Sequence, residues 1–451
     1  MRFLFSGRKG KVRKRDLDQD RRGAQRPSEP AQAAPLPAPD TAGENPHSAL
    51  GDVFTPTRPQ RSTRRLAGRQ AELSRVFRAL GFERSHVVLY GERGRGKTSI
   101  VNLVANTARS AGFMVARYTC AVETDFDEIM RGLAQDLPPS LLAAPIRQSS
   151  ALRGCEAALP AERILPRDIV ALPGQLSGRH LICIIDEFDR VADNDTRTRL
   201  ADTIKQVSDR AVPLSFLIVG VSDSLEELLG SHPSIQRNIL PLPLPLLTDD
   251  QIEGILVRGG KEAGVEFPQD IRRSIVSTAR GVPYIAQLLG LHAGMEALAR
   301  HSVEVNLADL AVACVRAIEE MDPRVTTLYG RLTSRGADAA ARSALLTVAS
   351  GEQDRLGRFT ATETLDGYIV AGKHVAHEHW SMMIEMGALR ACPSAGPGVF
   401  TFGDAMLQHY ILLRNVLEIR VRMALTPSSS SDARKAWQDG PERSQEQAVS
   451  N

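Results

Sequence analysis

Gly91-Glu92-Arg93-Gly94-Arg95-Gly96-Lys97-Thr98 stands between the apolar run His86-Val-Val-Leu-Tyr90 and a segment of helical period, Thr98–Ala111. The octet satisfies G-x-x-x-x-G-K-[ST] at every fixed position, after a strand and before a helix. Glycines let backbone N–H groups converge on phosphate oxygens, and the helix N-terminus adds a favourable dipole. Lys97 is placed to meet the β- and γ-phosphates of a nucleotide, and Thr98 to offer a hydroxyl to Mg²⁺. The chain has eight lysines against 48 arginines, so a lysine at this one position does not follow from composition. Glu92, Arg93, Arg95 and Ser99 complete the loop as nucleotide-binding residues; Arg93 and Arg95 either steer phosphate or point to solvent, the second being the default expectation.

About 90 residues on, Leu181-Ile-Cys-Ile-Ile185-Asp186-Glu187 is an apolar strand ending in adjacent carboxylates. That arrangement delivers Asp186 to a magnesium shell and leaves Glu187 to orient and deprotonate an attacking water. An apolar run closed by Asp-Glu is weak evidence alone and strong evidence after the phosphate motif. No N-K-x-D or T-K-x-D guanine-reading tetrapeptide occurs, so ATP is the expected nucleotide.

Outward from these motifs, strand and helix signals alternate, which predicts an α/β domain with a mostly parallel sheet over residues 66–247. Residues 138–175 have no clear period and read as an insertion. Strand signals stop after Leu247. Thr248-Asp-Asp-Gln251 is a capping box that opens a helical lid over 248–322. Residues 323–420 read as a winged-helix-like unit, with helices at Ala339–Val348 and Val375–Leu389 and paired strands at Leu389–Cys392 and Val399–Phe402. Residues 1–65 and 421–451 are expected to be unstructured, since the first carries eight of the 26 prolines between 27 and 59 and the second is rich in Ser and Gln.

The 451 residues are 42% hydrophobic and 24% charged, ordinary for a globular chain, with no apolar run of membrane-spanning length. Five scattered cysteines without a C-x-x-C pair argue against a zinc ribbon or a disulfide framework. A cytoplasmic location is expected. The net charge of +3 divides unevenly: residues 1–65 hold 14 basic and 7 acidic groups, the remainder 42 and 46. A nucleic-acid argument therefore belongs to the first segment, around Arg8–Arg15, and not to the whole surface.

The chain resembles the AAA+ ATPases of the origin-recognition/initiator-like group and the related STAND nucleotide-switch ATPases. Four features carry the resemblance over residues 66–415. Leu66-Ala-Gly68-Arg69-Gln-Ala-Glu72-Leu73 is similar to the G-R-x-x-E-L box that closes over nucleotide, which implies a nucleotide-side role for Arg69. The phosphate loop and Asp186-Glu187-Phe188-Asp189 match that group's forms. The order of nucleotide domain, lid and winged helix is theirs, and Phe402-Gly-Asp-Ala-Met-Leu-Gln-His-Tyr-Ile411 is similar to the end of their winged-helix units.

The resemblance implies a γ-phosphate sensor at Ser222, whose alternative reading is a cap on the following helix, Asp223–Leu229. It implies an intersubunit arginine finger at Arg237, whose alternative is an exposed arginine in an arginine-rich chain. Where the initiator group has a lid arginine in G-x-x-R, this chain has Gly281-Val-Pro283-Tyr284, closer to the G-x-P turn of the STAND group. The expected function is an ATP-dependent switch or assembly factor with slow Mg²⁺-dependent hydrolysis, working through self-association or a protein partner. Two alternatives remain: a DNA-binding initiator or transposition helper, and an ATP-binding scaffold without turnover. The segment around His374, His377 and His379 has only Lys373 as a fixed cation, a poor reader of DNA. Those three histidines cannot share one helix face as metal ligands.

Overall fold

Strands with no polar face build the centre of the fold. In the computed structural model, which describes residues 46–58, 68–142, 154–178, 180–230, 233–333 and 339–425, two helices come first. These are α1 (Pro46–Val53) and α2 (Gln70–Phe77). The strands β1 (His86–Tyr90), β2 (Met114–Thr119), β3 (Leu181–Asp186), β4 (Leu214–Gly220) and β5 (Ile239–Pro243) then form a parallel sheet in the order β2-β3-β4-β1-β5. Every residue of β3 and β4 is buried, as a sheet covered on both faces requires.

Helices α3 (Lys97–Ser110), α4 (Phe126–Gln135), α5 (Pro166–Ala171), α6 (Asn194–Asp209) and α7 (Leu225–Leu229) accompany the sheet. Side chains alternate between two apolar layers with the period of a strand. Val87, Leu89, Ile184 and Leu217 join Val76, Val101 and Val104 of α2 and α3 in one layer. Val88, Ile185, Phe216 and Ile218 join Phe126, Ile129, Leu200 and Ile204 in the other. Because β1 lies between β4 and β5 while the chain leaves it for the far edge, a crevice opens at its carboxyl end, where ligands bind such sheets.

Beyond the sheet come α8 (Asp249–Ala263), α9 (Gln269–Ala279), α10 (Pro283–Ala299) and α11 (Leu307–Glu319). The expected capping box is present: Gln251 N donates to Thr248 Oγ1, and Thr248 N to Gln251 Oε1. Next are α12 (Pro323–Thr333), α13 (Ala339–Ser350), β6 (Phe359–Glu363), β7 (Gly367–Val370) and β8 (Lys373–Ala376). They are followed by α14 (His377–Glu385), β9 (Leu389–Ala391), β10 (Val399–Phe402) and α15 (Ala405–Leu425). These strands form a second, antiparallel sheet, β8-β7-β6-β10-β9. The expected pairing of β9 with β10 is observed, with Thr401 opposite Arg390.

Two expectations are corrected. The segment from Val375 does not start a helix: Lys373–Ala376 is a strand, and α14 begins at His377. A two-residue turn, Ala371-Gly372, has positive φ at both positions (50° and 77°) and folds β7 back on β8. The first 65 residues are not uniformly unstructured either. Leu50 and Phe54, on and just after α1, are fully buried against the lid. The Phe54 ring occupies the space where a side chain at Gly259 or Gly290 would stand, 2.4 and 2.7 Å from the missing Cβ positions. The apolar core is continuous across residue 323, where the sequence suggests a change of unit. Ile285 and Leu289 of the lid, and Phe359, Trp380 and Leu413 beyond it, belong to one apolar cluster. The segments 1–45, which include Arg8–Arg15, and 426–451 lie outside the described residues, as do Leu66, Ala67 and 143–153.

Candidate nucleotide-binding site

The phosphate motif occupies the crevice at the end of β1. Gly96 caps α3 from the left-handed region (φ 92°), so α3 begins at Lys97 with its free N–H groups facing the loop. Gly94 also has positive φ (76°), and a Cβ there would come within 3.0 Å of Val282 and 3.2 Å of Tyr284. The loop is therefore roofed by the lid, and the Tyr284 backbone N–H faces Gly94 O at 3.4 Å.

Between loop and lid lies a cleft of about 810 Å³. Arg93, Gly94, Arg95, Gly96, Lys97, Thr98 and Ser99 form its floor, and Asp186 and Glu187 enter from the end of β3. Lys97 Nζ donates to the Gly91 and Glu92 carbonyls at 2.6 and 3.0 Å, folding over the loop it would share with a phosphate. Burial pushes its ammonium down to about 8, offset in part by Glu92. Glu187 holds a left-handed conformation (φ 55°), rare for a side chain of this size, which turns it out of the strand into the cleft. There its Oε2 accepts Arg190 Nη1 at 2.9 Å. Asp189 Oδ1 accepts the Val221 N–H at 2.8 Å and fixes the turn after β3 to the end of β4.

Arg69, only 2% exposed, lines the same cleft and donates to Arg95 O at 3.0 Å and Pro245 O at 2.7 Å. Burial lowers its pKa to about 10, so it remains cationic. Thr98 and Asp186 suit Mg²⁺, a hard ion that takes one or two carboxylate or hydroxyl oxygens together with phosphate oxygens and water.

Several sequence-derived assignments change. Arg95 does not point to solvent: it is 4% exposed, and its guanidinium donates to Leu244 O at 3.0 Å and Leu356 O at 2.8 Å. Arg93 is exposed and lines the cleft. Gly91 and Glu92 lie behind the cleft floor. Glu92 is nearly buried there, which raises its carboxyl pKa, and Arg390 of β9 stands 3.8 Å away. Ser222 is outside the cleft, beside Tyr90, Gly91 and Arg95 in a separate small recess. Its hydroxyl lies 2.7 Å from Ser224 O and 2.8 Å from Glu227 Oε2. Ser222 does not cap the helix: the N-cap of α7 is Ser224, and the helix is Leu225–Leu229. Arg237 is exposed in a turn before β5, away from the cleft.

Most other cleft residues carried no signal in the sequence, Pro283 of the Gly281–Tyr284 turn excepted. Thr55–Arg58, after α1, line it together with Leu247, Pro283 and Gln287 of the lid, and Arg324 of α12. Gln287 Oε1 accepts the Thr55 N–H at 3.2 Å. Arg280 faces away, donating to the Ser350 and Gly351 carbonyls.

Residues 65–219 match the family model described as the AAA ATPase domain. No curated protein matches the chain. Among solved structures it is similar to the Aeropyrum pernix ORC1 protein in complex with DNA, at 17% identity over 83% of this chain and 97% of that one, with a TM-score of 0.42. It is similar to the Aeropyrum pernix ORC2 protein in ADPNP–ADP complexes, at 15% identity over 82% and 98%, TM-score 0.46. The Thermotoga maritima RuvB Holliday junction branch migration motor is 15% identical over 76% and 94%, TM-score 0.41. Likeness this remote assigns no ligand or partner to this chain. Among the described residues no helix is long and apolar enough to cross a membrane.

Proposed function

We propose that the chain is an ATP-driven switch with slow hydrolysis, a reading supported by the match of residues 65–219 to the AAA ATPase domain model. ATP enters between phosphate loop and lid. Lys97 leaves the Gly91 and Glu92 carbonyls to meet the phosphates, while the N–H groups at the start of α3 receive their oxygens. Mg²⁺, when bound, neutralises developing phosphate charge, and Thr98 and Asp186 would hold it. Glu187 orients a water and takes its proton at a carboxylate oxygen. Arg190 competes for that carboxylate, which is consistent with slow turnover. The lid supplies no arginine at the Gly281-Val-Pro283-Tyr284 turn, which again fits a switch better than a fast motor.

The observation that carries the switch reading is the grip of the C-terminal elements on the phosphate loop. Arg95 inside the loop reaches Leu356 O, and Leu246 N donates to Arg355 O at 2.7 Å. Arg390 bonds Asp223 at 2.5 Å beside Glu92. Lid and C-terminal elements share one core, so they are read as moving together, with residues 323–420 as a winged-helix-like unit. No Arg or Lys occurs in α14, so its surface favours a protein partner over DNA. Arg237 is kept as an intersubunit arginine, to be tested by sedimentation with and without ATP. The direct test of chemistry is Glu187→Gln. It should retain ATP binding and lower phosphate release at least about 100-fold. Unchanged turnover would remove Glu187 from the role.

A further inference from the structure

Asp186 reaches the cleft with both carboxylate oxygens engaged. Oδ1 accepts the Glu187 N–H at 3.0 Å, and Oδ2 accepts Arg117 Nη2 at 2.5 Å. Arg117 projects from β2, the edge strand beside β3, where Thr119 lies abreast of Asp186. Its other terminal nitrogen donates to Asn102 Oδ1 at 2.7 Å, on the helix that begins with Lys97 and Thr98. The guanidinium is thus tethered from two elements. The Asp186 side chain is 6% exposed against 30% for Arg117, so water screens this pair weakly on the carboxylate side. No part of the phosphate or carboxylate motifs announces Arg117.

We infer that Arg117 is a positioning residue that also competes with Mg²⁺ for Asp186. The inference rests on the cleft being a Mg²⁺–nucleotide site. A carboxylate oxygen has more than one acceptor direction, so Arg117 can aim Asp186 into the cleft and still leave it available. Any cation that takes that carboxylate then sits beside a fixed positive charge, and the repulsion weakens it. Metal loading therefore waits for the negative charge of nucleotide phosphates, and the nucleotide-free protein holds Mg²⁺ poorly. A merely structural ion pair would leave the metal requirement untouched when it is removed.

The test is a titration of MgCl₂ into full-length protein with a fluorescent ADP analogue, reading the Mg²⁺ concentration for half-maximal enhancement of nucleotide binding. Arg117→Met should lower that concentration about tenfold, and Arg117→Lys, which keeps the charge, should stay within about twofold of wild type. Asn102→Leu frees one tether and should shift the requirement in the same direction by less. Affinity in EDTA reads the fold and should fall by no more than about tenfold, because the same charge also attracts the phosphates. If Arg117→Met loses it, Asn102→Leu decides by the same reading. An unchanged or higher Mg²⁺ requirement in the deciding variant overturns the inference while the site reading stands. Wild-type protein whose nucleotide binding ignores Mg²⁺ overturns the site reading, and the inference with it.

Discussion

At the scale of single residues, Lys97 shows how the site sets its own working range. Crowding by protein pushes its ammonium down to about 8, and bound phosphates restore the charge by drawing a proton. Nucleotide affinity should therefore be flat below that pH and fall by up to about tenfold per unit above it. A fluorescent-nucleotide titration from about pH 6.5 to 9.5 checks this, and a flat profile throughout would contradict it. Lys97 and the carboxylate pair were legible because their chemistry demands fixed spacing along the chain. Arg95 was not. Its position inside the loop motif is unconstrained by phosphate chemistry, and only the folded chain brings Leu244 O and Leu356 O to its guanidinium. The surroundings of Ser222 are no more legible, for a related reason. A serine after a strand satisfies several roles by position, and Glu227 and Ser224 determine which one it takes.

At the scale of elements, the buried parallel strands were plain from their continuous apolar runs, whereas β6 to β8 escaped notice. Those three are short and half-exposed, and their tight turn uses Ala371-Gly372 instead of the asparagine or aspartate that usually marks such a hairpin. Helix α1 was hidden by its proline-rich surroundings, although Leu50 and Phe54 repeat at the spacing of one helix face. Its attachment is specific because Gly259 and Gly290 leave room for the Phe54 ring. Phe54→Ala opens a cavity between α8 and α10 and should cost about 3 kcal/mol. Thermal unfolding measures this. A shift no larger than that of an exposed substitution would show that α1 does not hold the lid.

At the scale of the whole molecule, the apolar core divides where the polypeptide passes from Leu244 to Leu247. Leu244 belongs to the sheet layer and Leu247 to the core shared by lid and C-terminal elements. Across that division the joints are largely polar. The Arg390–Asp223 pair, with side chains 44% and 33% exposed, contributes at most about 1 kcal/mol after screening by water. Such joints break and reform readily, whereas a shared apolar core does not, which favours rigid rotation about residues 244–248. Acid should loosen the whole assembly. His86, His180 and His409 are buried and neutral, each pushed down to about 4 chiefly by burial. Stability they contribute is complete above the unfolded value near 6.5 and is lost as pH falls toward 4. Melting temperature should therefore decline over that interval, and a constant value would contradict the assignment. The central claim is that nucleotide state repositions the C-terminal elements against the phosphate loop. Spin labels at Asp202 and Glu363 report it most directly, since both sites are exposed and the five native cysteines are buried. The distance distribution between them should differ between Mg²⁺–ATP and Mg²⁺–ADP in a Glu187→Gln background, and one identical distribution in both states would contradict the account.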